Sequence, residues 1–433
     1  MNQSSGFYNL GIAPNILAIL DKLGFKIPTP IQERSIPHAI EGKDLIGIAQ
    51  TGTGKTLAFG VPMIQAALSG KKGLVVLPTR ELALQVYETF DKISYQLKLR
   101  SAILIGGEAI YRQIKMLYAH PSIIIGTPGR IIDHLEQKTL SLRDIKVLVL
   151  DEADRMLDMG FAPQLKRILN VLPRERQTML FSATMPNEIV EMAKAYMKFP
   201  TRVEIAPSGT AASKVTHELF FLERHDKPRL LEKLLMQYRG SVLVFSRTKY
   251  GAKRISAGVR ALGEKSAELH SNRTLHQRKE ALEGFRNGRY RVLVATDIAA
   301  RGIDVRGIEL VINYDLPQTP NDYIHRIGRT GRAGEVGHAI SFATPDQRGD
   351  VRAIERLLRG ALPLSKLPEL PPHRALPASQ RPFHGGRPHG GGHSHRSSGP
   401  SRFDTSRPAF SGPRSNFERR RFRGGGRFQR EGR

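Results

Sequence analysis

Short apolar runs recur along this chain, each too brief for a helix and each bounded by glycine, proline or polar residues. In the first half they are Asp44 to Ala49, Gly73 to Pro78, Ser122 to Gly126, Val147 to Leu150 and Thr178 to Phe181. They are near-continuously apolar rather than alternating, so each predicts a strand covered on both faces. Longer stretches of helical pattern separate them, which predicts a parallel sheet between helical layers. The pattern extends from about Phe7 to Ala206 and stops in the polar stretch Pro207 to Lys214. It resumes with Ser241 to Phe245, Arg291 to Ala295, Leu310 to Tyr314 and Ala339 to Ala343. Two α/β lobes are therefore expected, 1–206 and 215–367, joined by a short flexible connection at 207–214, with motion of one lobe on the other.

The pattern fails altogether after Leu367. From Pro371 to Arg433 there are 14 arginines, no lysine and three acidic residues, and proline, glycine, serine and histidine fill most of the rest. Such a segment buries too little apolar surface to offset its ordering entropy, so 368–433 is expected to be a disordered basic tail. Six phenylalanines, Phe383, Phe403, Phe410, Phe417, Phe422 and Phe428, are spaced among the arginines. Arginine pairs with phosphate, and aromatic rings stack on any base, so the tail reads as a nonspecific tether for a nucleic-acid strand.

Charge sharpens the picture. Lysine and arginine number 67 against 40 acidic residues, a formal charge of +27 on 433 residues, which calls for a polyanionic partner. Nucleic acid fits. A membrane surface does not, because the chain has no apolar run of about 18 residues. Met1 to Leu10 lacks the basic and apolar regions of a secretory signal. Cysteine is absent, which removes disulfides, thiol catalysis and thiolate metal sites and suits the cytoplasm.

The strand Asp44 to Ala49 runs into a glycine-rich turn and a helix, DLIGIAQTGTGKT. Gly52 and Gly54 let backbone N–H groups wrap phosphate oxygens, Lys55 adds a positive charge, and the Thr56 hydroxyl suits a magnesium ion. Ala49 stands where the usual first glycine of such a loop would be. A second phosphate-site element lies at VLVLDEAD, Val147 to Asp154, where Asp151 and Glu152 follow a buried strand. Ligands of a doubly wound sheet bind at that carboxyl edge. Asp151 can hold magnesium, and Glu152 can orient and deprotonate an attacking water. The implied chemistry is ATP hydrolysis.

Asp151-Glu152-Ala153-Asp154 is the signature for which DEAD-box RNA helicases are named, and the chain resembles that family from Phe7 to about Ala343, most of all its bacterial RhlE-type branch. The resemblance implies two tandem RecA-like domains of helicase superfamily 2, with ATP and magnesium in the cleft. GFKIPTPIQ, Gly24 to Gln32, is similar to the adenine-reading Q motif, and Phe7 lies seventeen residues upstream of Gly24 where the family places an isolated aromatic. A glutamine amide offers one donor and one acceptor face, which suits the adenine edge. On this resemblance the ATP site comprises Phe7, Lys26, Gln32, the turn Ala49, Gln50, Thr51, Gly52, Thr53 and Gly54, then Lys55, Thr56 and Asp304.

Further motifs follow in the family's order: PTREL (Pro78 to Leu82), Gly106-Gly107, TPGR (Thr127 to Arg130) and SAT (Ser182 to Thr184). The resemblance assigns the RNA backbone to Pro78, Thr79, Arg80, Gly106, Gly107, Thr127, Pro128 and Arg130, and the coupling of hydrolysis to RNA release to Ser182, Ala183 and Thr184. In the second lobe LVFSRT (Leu243 to Thr248) resembles the fourth motif. ATDIAARGID, Ala295 to Asp304, supplies Thr296 for RNA, Arg301 for the cleft and Asp304 for the ribose. HRIGRTGR, His325 to Arg332, supplies Arg329 and Arg332 as fingers on the γ-phosphate and His325 for coupling. Arg278 is kept at a phosphate-contact position, but Leu275 stands where the family commonly has glutamine, so no hydrogen bond carries over there.

The implied activity is an ATP-dependent RNA helicase that grips single-stranded RNA across both lobes, locally unwinds short duplexes and hydrolyses ATP to ADP and phosphate to let the RNA go. A DNA-directed motor and an ATP-gated RNA scaffold with little turnover are the competing readings. Ribosomal particles and RNA-decay machinery are open as partners, because backbone contacts carry no base information.

Overall fold

Isoleucine and valine runs such as Ile123 to Ile125 and Val147 to Val149 become strands because β-branched side chains pack well on a pleated surface, and here both faces are covered. The computed structural model of the chain describes residues 6–50, 52–205, 215–300, 305, 307–331 and 337–372. The expected flexible connection at 207–214, and the tail from residue 373 onward, lie outside the described residues.

The first lobe holds seven strands: β1 (Leu45–Ile48), β2 (Lys72–Val76), β3 (Ser101–Leu104), β4 (Ile123–Gly126), β5 (Ile145–Leu150), β6 (Gln177–Ser182) and β7 (Thr201–Glu204). They form one sheet in the order β3-β4-β2-β5-β6-β1-β7, and every pairing is parallel. The second lobe holds β8 (Val215–Phe221), β9 (Val242–Phe245), β10 (Ser266–Leu269), β11 (Val292–Ala295), β12 (Leu310–Asn313) and β13 (Gly337–Ala343). Their order is β10-β11-β9-β12-β13-β8, again all parallel. Parallel order sends every carboxyl end of a sheet to one edge, so turns distant in sequence become neighbours.

Among the described residues, nine of the thirteen strands match the apolar runs. The other four, β3, β7, β8 and β10, are the edge strands of the two sheets. Edge strands pair on one side only and tolerate polar residues, as in Thr201-Arg202-Val203-Glu204 and Thr216-His217-Glu218. That composition hid β7 and β8.

Helices cover both faces of each sheet. On the first sheet Phe59, Phe90 and Phe181 pack one layer while Ile131, Leu165 and Ile168 pack the other. On the second, Leu230, Leu234 and Ile255 lie opposite Leu282, Phe285 and Ala299. A further cluster joins Tyr323 and Ile327 to Val351 and Ile354 of the Arg348–Leu358 helix. Each fully buried side chain of this size contributes about 1.5–3 kcal/mol of burial, which makes the two cores rigid platforms for the turns at their strand ends.

Candidate nucleotide and nucleic-acid site

The carboxyl edge of the first sheet divides into two halves. Neighbouring strands β5, β6 and β1 end in Asp151-Glu152, Ser182 and Ala49, while β3, β4 and β2 end beside Gly106, Thr127 and Thr79. Phosphate-type chemistry and candidate RNA contacts therefore sit side by side on one edge.

In the first half, β1 delivers Ala49 and Gln50 into a tight turn in which the Thr53 hydroxyl donates to the Gln50 carbonyl at 2.7 Å. Gly52 and Gly54 have φ of 87° and 93°, backbone that glycine adopts without strain. A Cβ on Gly54 would also collide with the Gln32 amide and with the Thr29 hydroxyl at 2.8 Å. The Lys55–Leu68 helix starts at once, with Thr56 half-buried in its first turn. Lys55 is 5% exposed, and its ammonium lies 3.8 Å from Asp151 Oδ1 with no hydrogen-bond partner among the described residues. A buried cation with unused donors at a helix N-terminus fits a phosphate. Thr51, Arg301, Asp304 and Arg332 lie outside the described residues.

Asp151 is buried, and that burial pushes its carboxyl up to about 6, against the pull of Lys55 and with a push from Glu152. A bound cation would restore its charge. No group of three or more histidines and acids is poised for a metal among the described residues. The donors available, Asp151 and the Thr56 hydroxyl, suit a magnesium ion that takes its remaining oxygens from phosphates and water. Glu152 has φ 51° and ψ 48°, the left-handed region a non-glycine residue enters at a cost, and its carboxylate is 3.5 Å from the Arg155 guanidinium.

Gln32 stands in the Pro30–Ile40 helix and is 3% exposed. Its Oε1 accepts from the Thr29 N–H at 2.9 Å, closing a capping box, and its Nε2 donates to the Gly54 carbonyl at 2.9 Å. The glutamine thus braces the phosphate turn itself. Phe7 is buried in the first core, and Lys26 is exposed.

Asp154, to which sequence reasoning gave no task of its own, wires β5 to β6. Its Oδ2 accepts from the Ala183 N–H at 3.2 Å and from the Thr184 N–H and hydroxyl, each at 2.9 Å, while its own N–H donates to the Ser182 hydroxyl at 3.2 Å. Ala183, Thr184 and Gln50 then share a small cavity with Asn321, Ile324, His325 and Gly328 of the second lobe. Beside it Arg155 faces Asp297, Asp322, His325, Arg326 and Arg329. Arg329 is 2% exposed. Arg326, between His325 and Arg329 and near the end of the Pro320–Ile327 helix, is the anchor: it grips Asp297 at 2.5 and 2.8 Å, donates to Asn313 Oδ1 and the Asp315 carbonyl, and stacks on Phe245. The spacing of the acid in Ala295-Thr296-Asp297 from an arginine nearly thirty residues on gave no local signal for this pair.

In the other half of the edge, Thr79 caps the Arg80–Ser94 helix by accepting from the Leu82 N–H, and Arg80 lays its guanidinium over Gly106 and Gly107. A Cβ on Gly106 or Gly107 would meet that group at 2.9 or 2.5 Å and push the guanidinium aside, and Gly107, with φ 84°, is in the left-handed region that favours glycine. Thr127 and Pro128 open the Pro128–Glu136 helix. From it Arg130 donates to the Glu108 carbonyl at 3.2 Å. His134, one turn on, contacts Gln113, whose amide donates to the Ile105 carbonyl at 2.8 Å. Burial, helped by Arg130, holds the His134 imidazole below its ordinary range. The turn around Gly106 is thus fixed from three sides. In the second lobe Thr296 ends β11, and Arg278 forms an ion pair with Glu81 at 2.8 Å, across the two lobes. Glu81, the acid of PTREL, is the partner that motif reading left out.

Residues 29–192 match the family described as DEAD/DEAH box helicase, and residues 226–334 match the helicase conserved C-terminal domain. The chain is 42% identical over 381 residues to the DEAD-box ATP-dependent RNA helicase CshA of Bacillus cereus, an alignment spanning 87% of this chain and 72% of that protein. It is 44% identical over 355 residues to the ATP-dependent RNA helicase CshA of Listeria monocytogenes, covering 81% and 68%. Among solved structures, S. cerevisiae Dbp5 bound to RNA and ADP BeF3 superposes with a TM-score of 0.75 at 31% identity, covering 84% of this chain and 96% of that one. Mss116p bound to ssRNA and AMP-PNP superposes with a TM-score of 0.76 at 27% identity, covering 83% and 78%. With both sheets, both halves of the strand-end edge and these likenesses in hand, the chain belongs to the DEAD-box family of ATP-dependent RNA helicases.

Proposed function

We propose that this chain binds ATP at the β1, β5 and β6 ends, grips single-stranded RNA at the β2, β3 and β4 ends and across the second lobe, and separates short RNA duplexes locally. Hydrolysis to ADP and phosphate then releases the strand. The observation that carries this reading is the set of bonds from Asp154 to Ala183 and Thr184, next to the cavity shared with His325. Through them the nucleotide edge is tied to the turn that faces the second lobe across that cavity.

Lys55 and the turn's N–H groups hold the phosphates, and Gln32 and Phe7 set the adenine end. Asp151 and Thr56 would hold magnesium, which supplies charge neutralisation at the phosphates. Glu152 orients the attacking water and takes its proton. Arg329, with Arg332, meets the charge that develops on the transferring phosphoryl group; such an arginine is worth about 10³–10⁵ in rate. Arg80, Arg130, Thr79, Thr127, Gly106, Gly107, Thr296 and Arg278 contact phosphate or sugar, so recognition tolerates any sequence. Arg278 would exchange its Glu81 contact for, or share it with, the RNA.

The RhlE-type branch, ribosomal or RNA-decay partners and a cytoplasmic location belong to the proposal. No helix among the described residues is long and apolar enough to cross a membrane. The test is ATPase activity with matched RNA and DNA strands, together with displacement of a short RNA duplex. Stimulation by RNA alone with displacement supports the reading; equal stimulation by DNA overturns it. A Glu152→Gln protein that still serves the cell fully would favour a scaffold.

A further inference from the structure

The Arg348–Leu358 helix follows β13 and spends its apolar side, Val351 and Ile354, on the second-lobe core. Its other side carries Arg348, Arg352 and Arg356, with Arg359 just past its end, and all four are exposed. Spaced four residues apart, the first three recur about every 6 Å along the axis on one helical face.

Some exposed arginines of the described residues have carboxylate partners, as Arg167 with Glu136, Arg202 with Glu204 and Arg289 with Glu280, and others, such as Arg34 and Arg143, have none and stand singly. Among the described residues, none of the four in this row has one either. Arg348 lies over the Phe221 ring at 5.6 Å, and Arg356 donates weakly to the Arg352 carbonyl. Glu355, the acid within the row, accepts from the Leu362 N–H at 3.0 Å instead. Arg352, Arg356 and Arg359 line an open groove with Glu355 and Ala361. Like charges four residues apart destabilise a helix, so an anion lying along the row would relieve that repulsion.

We propose that this arginine row is a second RNA site, outside the cleft, that takes the phosphate backbone of duplex or flanking RNA whose single strand lies in the cleft. This rests on the RNA-helicase reading above and extends it. A row of point charges repeating every few ångströms complements a phosphate chain. A lipid surface would instead require the helix to present an apolar face, and that face is already buried. The guanidinium forks can pair with phosphate oxygens without reading a base.

The test uses the full chain with Arg352→Ala, Arg356→Ala and Arg359→Ala combined, a second protein with lysine at the same three positions, and the wild type. Binding to a single strand carrying a duplex flank is titrated against salt. Three lost phosphate contacts should lower the log–log salt slope by about 2.1–2.7, so that the affinity fall between 50 and 200 mM becomes about 20- to 40-fold shallower. The lysine protein should keep the wild-type slope, and thermal unfolding, ATPase without RNA and ATPase at saturating RNA should match the wild type in all three. An unchanged slope in the alanine protein overturns the proposal. So does an equal loss in the lysine protein, or a loss confined to anionic phosphatidylserine vesicles with RNA binding intact. A wild type that binds no RNA would instead overturn the helicase reading itself, and this site with it.

Discussion

Replacing Asp154 with alanine should separate ATP hydrolysis from RNA unwinding. The carboxylate is 3% exposed and its Oδ2 accepts three bonds, from the Ala183 N–H, the Thr184 N–H and the Thr184 hydroxyl. Bonds to a charged acceptor contribute about 1.5–3 kcal/mol each. One oxygen serves all three, and the donors are only partly buried, so water replaces part of the loss. A net cost of about 2–4 kcal/mol to the ordered Ser182–Thr184 turn follows, which is about 30- to 1000-fold in its population. Lys55, Asp151 and Glu152 keep their positions on β1 and β5. RNA-stimulated ATPase and displacement of a short duplex, measured on one preparation, should therefore diverge, with displacement falling at least about 30-fold further than hydrolysis. Asp154→Asn, which retains an oxygen but not the charge, should fall between. If both activities drop by the same factor, or the ratio is unchanged, Asp154 does not carry the coupling.

Lys55→Ala should leave thermal unfolding nearly unchanged and lower ATP turnover by at least about 100-fold, since it deletes a phosphate charge rather than core volume; ordinary turnover would sink the phosphate-turn assignment. Arg326→Ala breaks a buried bidentate pair with Asp297, and denaturant unfolding should show a loss of about 3–5 kcal/mol; a change under 1 kcal/mol would remove its anchoring role. Burial lifts Asp151 to about 6, so the ionised form needed for magnesium disappears as pH falls through that value. Magnesium-dependent nucleotide binding should weaken about tenfold per unit below about pH 6, with magnesium-free binding far less affected; a flat profile from pH 7 to 5 would contradict the assignment.

The central strands were legible because each is buried on two faces and so reads as a continuous apolar run, as β4 and β11 do. Edge strands β7 and β8 were not, since one unpaired side admits Arg202, Glu204 and His217. The turns with unusual chemistry, Gly52 to Thr56 and Asp151 to Asp154, were legible because glycine, lysine and acid at strand ends have few structural uses together. What escaped were long-range partnerships: Arg326 with Asp297, Arg278 with Glu81, Gln113 with His134 and Gln32 with Gly54. Each joins residues brought together only by sheet order, and a polar residue's local neighbours do not announce such a partner.

The measurement that tests the two-lobe clamp most directly uses the absence of cysteine in this chain. Tyr118→Cys on the first lobe and Met236→Cys on the second, both exposed positions, accept a donor and an acceptor dye without background labelling. The approach of the lobes seen where Thr184 and His325 line one cavity should be stabilised by ATP and RNA bound together. The expected result is a change to a single, closed transfer efficiency when a nonhydrolysable ATP analogue and single-stranded RNA are both present, and reversal when hydrolysable ATP is exhausted. Full closure with nucleotide alone, or an efficiency that RNA does not alter, would contradict RNA-dependent clamping.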